Sequence, residues 1–478
     1  MKQLETIIGL EIHAQISTNT KMFCGCSNDS FGKEPNTNVC PICMGFPGML
    51  PVPSDASIEK GIKAALALKC SIPDFSKFDR KNYFYPDLPL GYQISQYDEP
   101  VSVHGTVEFE VNGVPKKVKI CRLHLENDAG KLTHTASGTL LDFNRAGSPL
   151  MEIVSDPDMR SAQEARAYAE TVQAILRYCG SSEADMEKGM LRFDASVSMR
   201  PVGEEKLYPR AEIKNLNSFR SLESAIAYEV QRQTEMWENG SPLDREQTVG
   251  WDDDRGTTEV MREKESAADY RYFPEPDIPP LHVDASQVET WKKAVPELPH
   301  EKLNRFMTDF DLSKADAEFY IDNQNLANLF EEVATKSKQA KVANSFIATV
   351  LASKLREKGL SWEQSPLEVD HLVELIQLVE SGLISNNVAK STLMEAMLET
   401  SKMPKMLVDE LGLGQVSDEG AIEVICQKVL EANPKAVEDI KSGQLKAMGS
   451  LVGAVMKESQ GKANPGMVNE ILSRLLGL

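Results

Sequence analysis

The sequence of 478 residues has no apolar run near the roughly 18–20 residues that a membrane-spanning helix needs. A membrane partner is therefore not expected. Its opening residues, Met1-Lys2-Gln3-Leu4-Glu5-Thr6-Ile7-Ile8-Gly9-Leu10, form neither the apolar core of a secretory signal nor an Arg-rich transit helix. A cytoplasmic location is expected. Positive charge is in deficit, with 52 Lys and Arg against 72 Asp and Glu, a net −20. Phosphate binding is driven mostly by Lys and Arg, so this balance argues against DNA and other nonspecific nucleic-acid binding. It leaves room for a local basic patch. Also missing are a Gly-x-x-x-x-Gly-Lys-Ser/Thr loop and a Gly-x-Gly-x-x-Gly turn after a strand. Any nucleotide is therefore held by neither of the two commonest phosphate frames. There is no repeat of fixed period and no low-complexity tract.

What remains has the composition of an ordinary globular chain, 41% hydrophobic and 26% charged. Its length suggests about two to four domains. Strand patterns rich in β-branched residues run over Glu5–Ile16, Val101–Val111, Lys117–Leu125 and Leu150–Val154. Alternation before Asn112-Gly113 predicts a hairpin. Helical spacing appears at Ser161–Cys179 and Ser221–Glu238. The stretch Phe273-Pro274-Glu275-Pro276-Asp277-Ile278-Pro279-Pro280 cannot continue a helix or a central strand and marks a boundary. Beyond about Glu301 the pattern is nearly all helical, with a further break at Met403-Pro404 and Leu411-Gly412-Leu413-Gly414.

Four of the eight cysteines fall close together, as Cys24-Gly25-Cys26, thirteen residues, then Cys40-Pro41-Ile42-Cys43. Two such arms offer four thiolates to one tetrahedral ion, with zinc the natural occupant. A closed set of four thiolates is structural, so this knot should shape a loop and carry no chemistry. Cys70, Cys121, Cys179 and Cys426 read as small buried apolar residues.

Glu11 and His13 lie two apart in a strand and share a face, as would His124, Glu126 and Asp128 if their strand continues. Glu152 is an acid inside an apolar strand, Leu150-Met151-Glu152-Ile153-Val154, where an unpaired charge is costly. Either a divalent cation shared by a His and carboxylates, magnesium by its oxygen-rich ligation, or a structural salt bridge would compensate it. Cations sit near Gly and Asn in Arg80-Lys81-Asn82-Tyr83, Asn144-Arg145-Ala146-Gly147 and Glu212-Ile213-Lys214-Asn215. They suit phosphate oxygens, or are simply solvated charge.

At this point the chain resembles a known family, the B subunits of the tRNA-dependent amidotransferase that acts on Asp-tRNA(Asn) and Glu-tRNA(Gln). The matching stretches include Ile8-Gly9-Leu10-Glu11-Ile12-His13, Phe23-Cys24-Gly25-Cys26-Ser27, Asn36-Thr37-Asn38-Val39-Cys40-Pro41-Ile42-Cys43 and Lys81-Asn82-Tyr83-Phe84-Tyr85-Pro86-Asp87. Asp128-Ala129-Gly130-Lys131, Asn144-Arg145-Ala146-Gly147, Glu212-Ile213-Lys214-Asn215-Leu216-Asn217-Ser218 and Asp269-Tyr270-Arg271-Tyr272-Phe273-Pro274 follow in family order. The resemblance implies an α+β multidomain fold: a mixed α/β cradle over 1–293, a helical domain over 294–405, and a small helical YqeY-like tail over 406–478. It implies a ligase that uses ATP and magnesium to phosphorylate the side-chain carboxylate of a mischarged tRNA. Ammonia from a glutaminase A subunit then displaces the phosphate, within a heterotrimer completed by a small C subunit. By the same resemblance His13, Glu126 and Glu152 hold the magnesium, with Glu11 beside them, and Lys81, Arg145 and Lys214 are cationic helpers. Leu90 stands where many members have Lys, and Asn127 where a second Glu is common. The tail should hold the tRNA elbow, with Lys457 and Lys462 beside glycine turns and Val468, Ile471, Leu472 and Leu475 as core. Two rival readings are a zinc-ribbon RNA-binding module and a free-standing metallohydrolase.

Overall fold

The computed structural model describes residues 3–263, 270–414, 419–441, 447–459 and 463–477. The chain divides into two compact units, residues 1–300 and 301–478.

The first unit is built on an eight-stranded sheet. We number its strands β1 (Leu4–Gln15), β2 (Ser102–Val111), β3 (Val114–Asn127), β4 (Pro149–Ser155), β5 (Leu191–Pro201), β6 (Ala211–Leu216), β7 (Gln247–Asp252) and β8 (Thr257–Glu263). Their order across the sheet is β8-β7-β6-β5-β1-β4-β3-β2, and only β6 and β7 run parallel. The β2–β3 hairpin turns at Asn112 and Gly113, with φ of 51° and 80°. Such left-handed pairs match the twist of hairpin strands.

Alternation splits each central strand into two faces. Ile8, Leu10, Ile12 and Ala14 of β1 join Met151, Ile153, Leu123, Leu125, Phe193 and Val197 in one apolar face. Three helices supply the rest of that core: α1 (Asp55–Ala67), α2 (Ala162–Tyr178) and α3 (Phe219–Glu238). Each starts at a serine whose side chain accepts a backbone N–H of the first turn, Ser54, Ser161 and Ser218. A fourth helix, α4 (Ala285–Ala294), packs on α1. The other face of the sheet is polar, and it carries the site.

A small three-stranded sheet, Asp79–Asn82, Tyr92–Ser95 and Phe273–Pro274, docks at the end of β3. There Ile94 N donates to Asn127 Oδ1 at 2.6 Å and Gln93 Nε2 to Asn127 O at 2.9 Å. Arg80 clasps the buried Glu275 through two bonds of 2.6 and 2.7 Å, tying the proline-rich segment to this sheet.

The second unit is helical. Phe306, Tyr320, Phe330, Phe346, Leu372 and Met394 belong to one core, in which Tyr320 stacks on Phe330 at 4.2 Å. A separate small core near the C-terminus holds Val455, Val468, Ile471 and Leu472, with Leu475 against it. Gly449 and Gly453 lie inside the helix Met448–Glu458, not in turns, so Lys457 sits exposed in a last helical turn. Lys462 lies outside the described residues. No helix among the described residues is long and apolar enough to cross a membrane.

Candidate active site and cysteine knot

Strand register assembles the acidic site. His13 on β1 stands opposite Glu152 on β4, and Glu152 stands opposite His124 on β3. On the other side of β1, His13 faces Arg192 and Glu11 faces Asp194, both on β5. Glu126 follows two residues after His124 on the same face. The result is a close group. Glu152 Oε2 lies 3.2 Å from His13 Nε2 and 3.3 Å from His124 Nε2, and Glu126 lies 4.0 Å from each imidazole. Ser95 Oγ donates to Glu126 Oε2 at 3.1 Å. One ligand atom from each of His13, Glu126 and Glu152 falls within 4.8 Å of the others, as a shared cation requires.

Burial and charge set the protonation here. Burial pushes Glu11 up, helped by the nearby charges of Glu152, Glu212 and Asp194. Burial alone would lower His13, but Glu152, Asp194 and Glu126 outweigh it and raise the imidazole to about 9. Burial likewise opposes ionisation of Glu152, yet His124 and His13 hold it well below the usual carboxylate range. Below pH 9 a proton therefore occupies the nitrogen that a cation would take. We predict that the affinity of the metal-free protein for magnesium or manganese rises about tenfold per pH unit from pH 7 to 9, then levels. Isothermal titration at several pH values reads this directly, and a flat profile would exclude His13 as a ligand.

The cations resolve into two kinds. Arg145 is committed: Nε lies 3.1 Å from Asp128 Oδ2, and the guanidinium also donates to the carbonyls of Ala129 and Gly130. Arg192 holds the other oxygen of Asp128 at 3.0 Å. These two arginines keep the buried Asp128 ionised against the effect of burial. Lys214 is likewise held, 2.8 Å from both Asp194 and Glu212. Lys81 differs. Among the described residues it has no ion pair; it lies 5.3 Å from the ring centre of Tyr270, and Glu126 and Glu152 raise it well above its ordinary value against burial. Glu11 stands one step along β1 from the ligand group and lines a cavity of about 260 Å³ with Gly9, Ser155, Ser196, Ser198, Tyr208 and Arg210.

The cysteines meet as their spacing predicts. All four Sγ atoms of Cys24, Cys26, Cys40 and Cys43 lie within 4.8 Å of one another. A tetrahedron with Zn–S bonds of about 2.3 Å has S···S edges of about 3.8 Å, so the four thiols fit a zinc ion. Cys43 is the readiest thiolate, lowered to about 5 by the Cys24 thiol and the Cys40 N–H, with Lys21 adding its charge, against burial. Burial lifts Cys26 to about 11. Asn36 and Asn38 then join this loop to the segment bearing Arg145: Asn38 N donates to Asn144 Oδ1 at 2.7 Å, and Phe143 N to Asn36 Oδ1 at 2.8 Å.

Two expectations change, and two residues of the site join it unannounced. Cys121 is exposed, on the outward side of β3 with Lys117 and Lys119 opposite the buried Val118 and Ile120, and Cys179 is only partly buried. Arg80, read as phosphate-binding or solvated, is a structural partner of Glu275. Arg192, Asp194 and Asp128 belong to the charge network; the alternation of β5 could have flagged the first two, but only register places them beside His13.

An antiparallel-dominated sheet with a His and carboxylate face and a thiol knot, together with a helical unit, defines an α+β multidomain protein. The GatB/GatE catalytic domain family matches residues 6–289, and the GatB domain family matches residues 328–476. The chain is 48% identical to a protein of Persephonella marina over 99% of this chain and 100% of that one. It is 48% identical to one of Brevibacillus brevis over 100% and 99%, and 47% identical to one of Caldanaerobacter subterraneus over 98% of each. All three are named as the B subunit of aspartyl/glutamyl-tRNA(Asn/Gln) amidotransferase. The chain belongs to the GatB/GatE family.

Proposed function

We infer that this chain is the subunit of a tRNA-dependent amidotransferase that activates and amidates the amino acid of Asp-tRNA(Asn) or Glu-tRNA(Gln). The observation that carries the reading is the cluster of His13, Glu126 and Glu152, with Lys81 beside it and without an ion pair among the described residues. In this ATP-dependent carbon–nitrogen ligation the substrate carboxylate takes the γ-phosphoryl group of ATP and releases ADP. Ammonia, drawn from glutamine by a glutaminase A subunit, then attacks the acyl phosphate and releases inorganic phosphate. A small C subunit completes the heterotrimer.

His13, Glu126 and Glu152 would hold magnesium, and that ion when bound neutralises phosphate charge and orients the reacting oxygens. Lys81 is available to meet phosphate oxygens, whereas Arg145 and Lys214 serve by fixing Asp128, Asp194 and Glu212 in place. The cavity beside Glu11 gives the nucleotide room outside the ligand cluster. Zinc on the four cysteines would brace the loop that carries Arg145. Lys457 offers one exposed positive charge to the tRNA backbone, a sparing grip suited to reading RNA by shape.

The test is Lys81→Met in the assembled complex with mischarged tRNA. ADP formation should fall about 100-fold in kcat, the loss usual for one preorganised charge on a transition state. Amide formation should fall in parallel. Unchanged ADP formation would remove Lys81 from the chemistry.

A further inference from the structure

Lys21 is among the largest fully buried side chains of the protein, with 0% of its surface exposed. A buried ammonium needs a counter-charge, because its desolvation costs far more than hydrogen bonding to neutral groups returns. Among the described residues Lys21 has no carboxylate partner. Its ammonium donates to the carbonyl of Asn38 at 2.8 Å and lies 3.7 Å from Cys43 Sγ. Cys43 also receives the Cys40 N–H at 3.2 Å, so a charged and a neutral donor converge on this one sulfur.

The surroundings leave the side chain little freedom. Met22 N donates to Gly147 O at 2.8 Å, beside the lysine. Gly147 has φ of 89°, and a Cβ there would sit 3.4 Å from Cys43 Cβ and 3.5 Å from Lys21 Cδ. Glycine is thus favoured for its backbone conformation, while the space beside it is filled to ordinary van der Waals contact. The lysine lies between the knot and the Asn144–Gly147 turn, in a place shaped around it.

Charge decides what the lysine is for. Four thiolates on a dication carry a net charge of −2, which a partly buried loop must offset. We propose that Lys21 is the counter-ion of the metal-loaded knot, a positioning residue that retains zinc by setting its charge against the sulfur of Cys43. The proposal rests on the reading of the knot as a zinc site. It assigns the buried lysine a role in metal retention outside the phosphoryl-transfer cluster.

The experiment uses the intact complex, with zinc quantified by mass spectrometry and its release timed in excess 4-(2-pyridylazo)resorcinol. Lys21→Met keeps the length of the side chain and removes its charge, while Lys21→Gln also keeps a donor. Both should release zinc at least about tenfold faster than wild type, the loss typical of removing an outer partner of a metal ligand. In the cobalt-substituted protein, the sulfur-to-metal charge-transfer band should move to longer wavelength in both variants. The reason is that a positive charge beside sulfur stabilises its lone pairs. A folded variant with wild-type release and an unshifted band would overturn the proposal and leave the zinc knot standing. Slow release in Lys21→Gln alone would also overturn it, by assigning the effect to the hydrogen bond. Wild-type protein without zinc would overturn the knot reading and this proposal together. If Lys21→Met fails to fold, zinc release and the cobalt band of Lys21→Gln decide the matter: fast release with a shifted band supports the counter-ion role, and wild-type behaviour overturns it.

Discussion

Glu152→Ala is expected to lower ATP-dependent phosphorylation of mischarged tRNA by about a thousandfold, or about 4 kcal/mol of barrier. Glu152 is the centre of its cluster, with one carboxylate oxygen 3.2 and 3.3 Å from two imidazoles. Its removal deletes one of three grouped ligands and the largest charge acting on His13. His13 should then bind protons more weakly, so its pH-linked competition with metal should fade even as affinity drops. Glu152→Gln separates charge from volume, and should lose activity to a similar degree while melting clearly below wild type. Removing one partner of a buried ion pair leaves the others uncompensated, at a cost of about 3–5 kcal/mol. Rates of ADP formation in the complex, measured with thermal melts, check both halves. A variant with wild-type turnover would return the cluster to a structural salt bridge.

Cys40→Ser should abolish zinc binding and loosen the loop without unfolding the first unit. Structural zinc contributes about 10–16 kcal/mol in small zinc-finger peptides that have no other core. Here the sheet and helices α1 to α3 form a large core of their own, so the effect should remain local. What the knot supports is the contact from Asn36 and Asn38 to Phe143 and Asn144, next to Arg145. Without it, Arg145 and Asp128 lose a fixed frame, and activity should fall about 100-fold, the scale of losing one preorganised electrostatic contact. Limited proteolysis mapped by mass spectrometry should show new cleavage between Cys26 and Cys43. Retained zinc with an unchanged digestion pattern would show that three cysteines suffice.

Much of the fold could be read from local pattern. The alternation of β1, the Asn112-Gly113 hairpin, the spacing of α2 and α3 and the break at Phe273–Pro280 all express interactions between near neighbours. Helical spacing likewise identified Val468, Ile471 and Leu472 as core. Cys121 is misread when residue type is used in place of strand phase: it points outward with Lys117 and Lys119, opposite the buried Val118 and Ile120. Arg145, Lys81 and Lys214 look alike as cations near Gly or Asn. Their difference lies in whether a carboxylate from a distant strand reaches them, as Asp128 and Asp194 reach two of the three.

The sequence by itself determined the chemistry on offer. Four thiols on two short arms could meet because the chain between them is short, and two acids beside histidines in strands had to face alike. Only the tertiary structure decided which of these groups act together. His13, His124 and Glu152 come from strands far apart in the chain, and their meeting depends on antiparallel register across β1, β4 and β3. A slip of one residue in either pairing would turn the ligands to opposite faces, and no single strand encodes its partner's register.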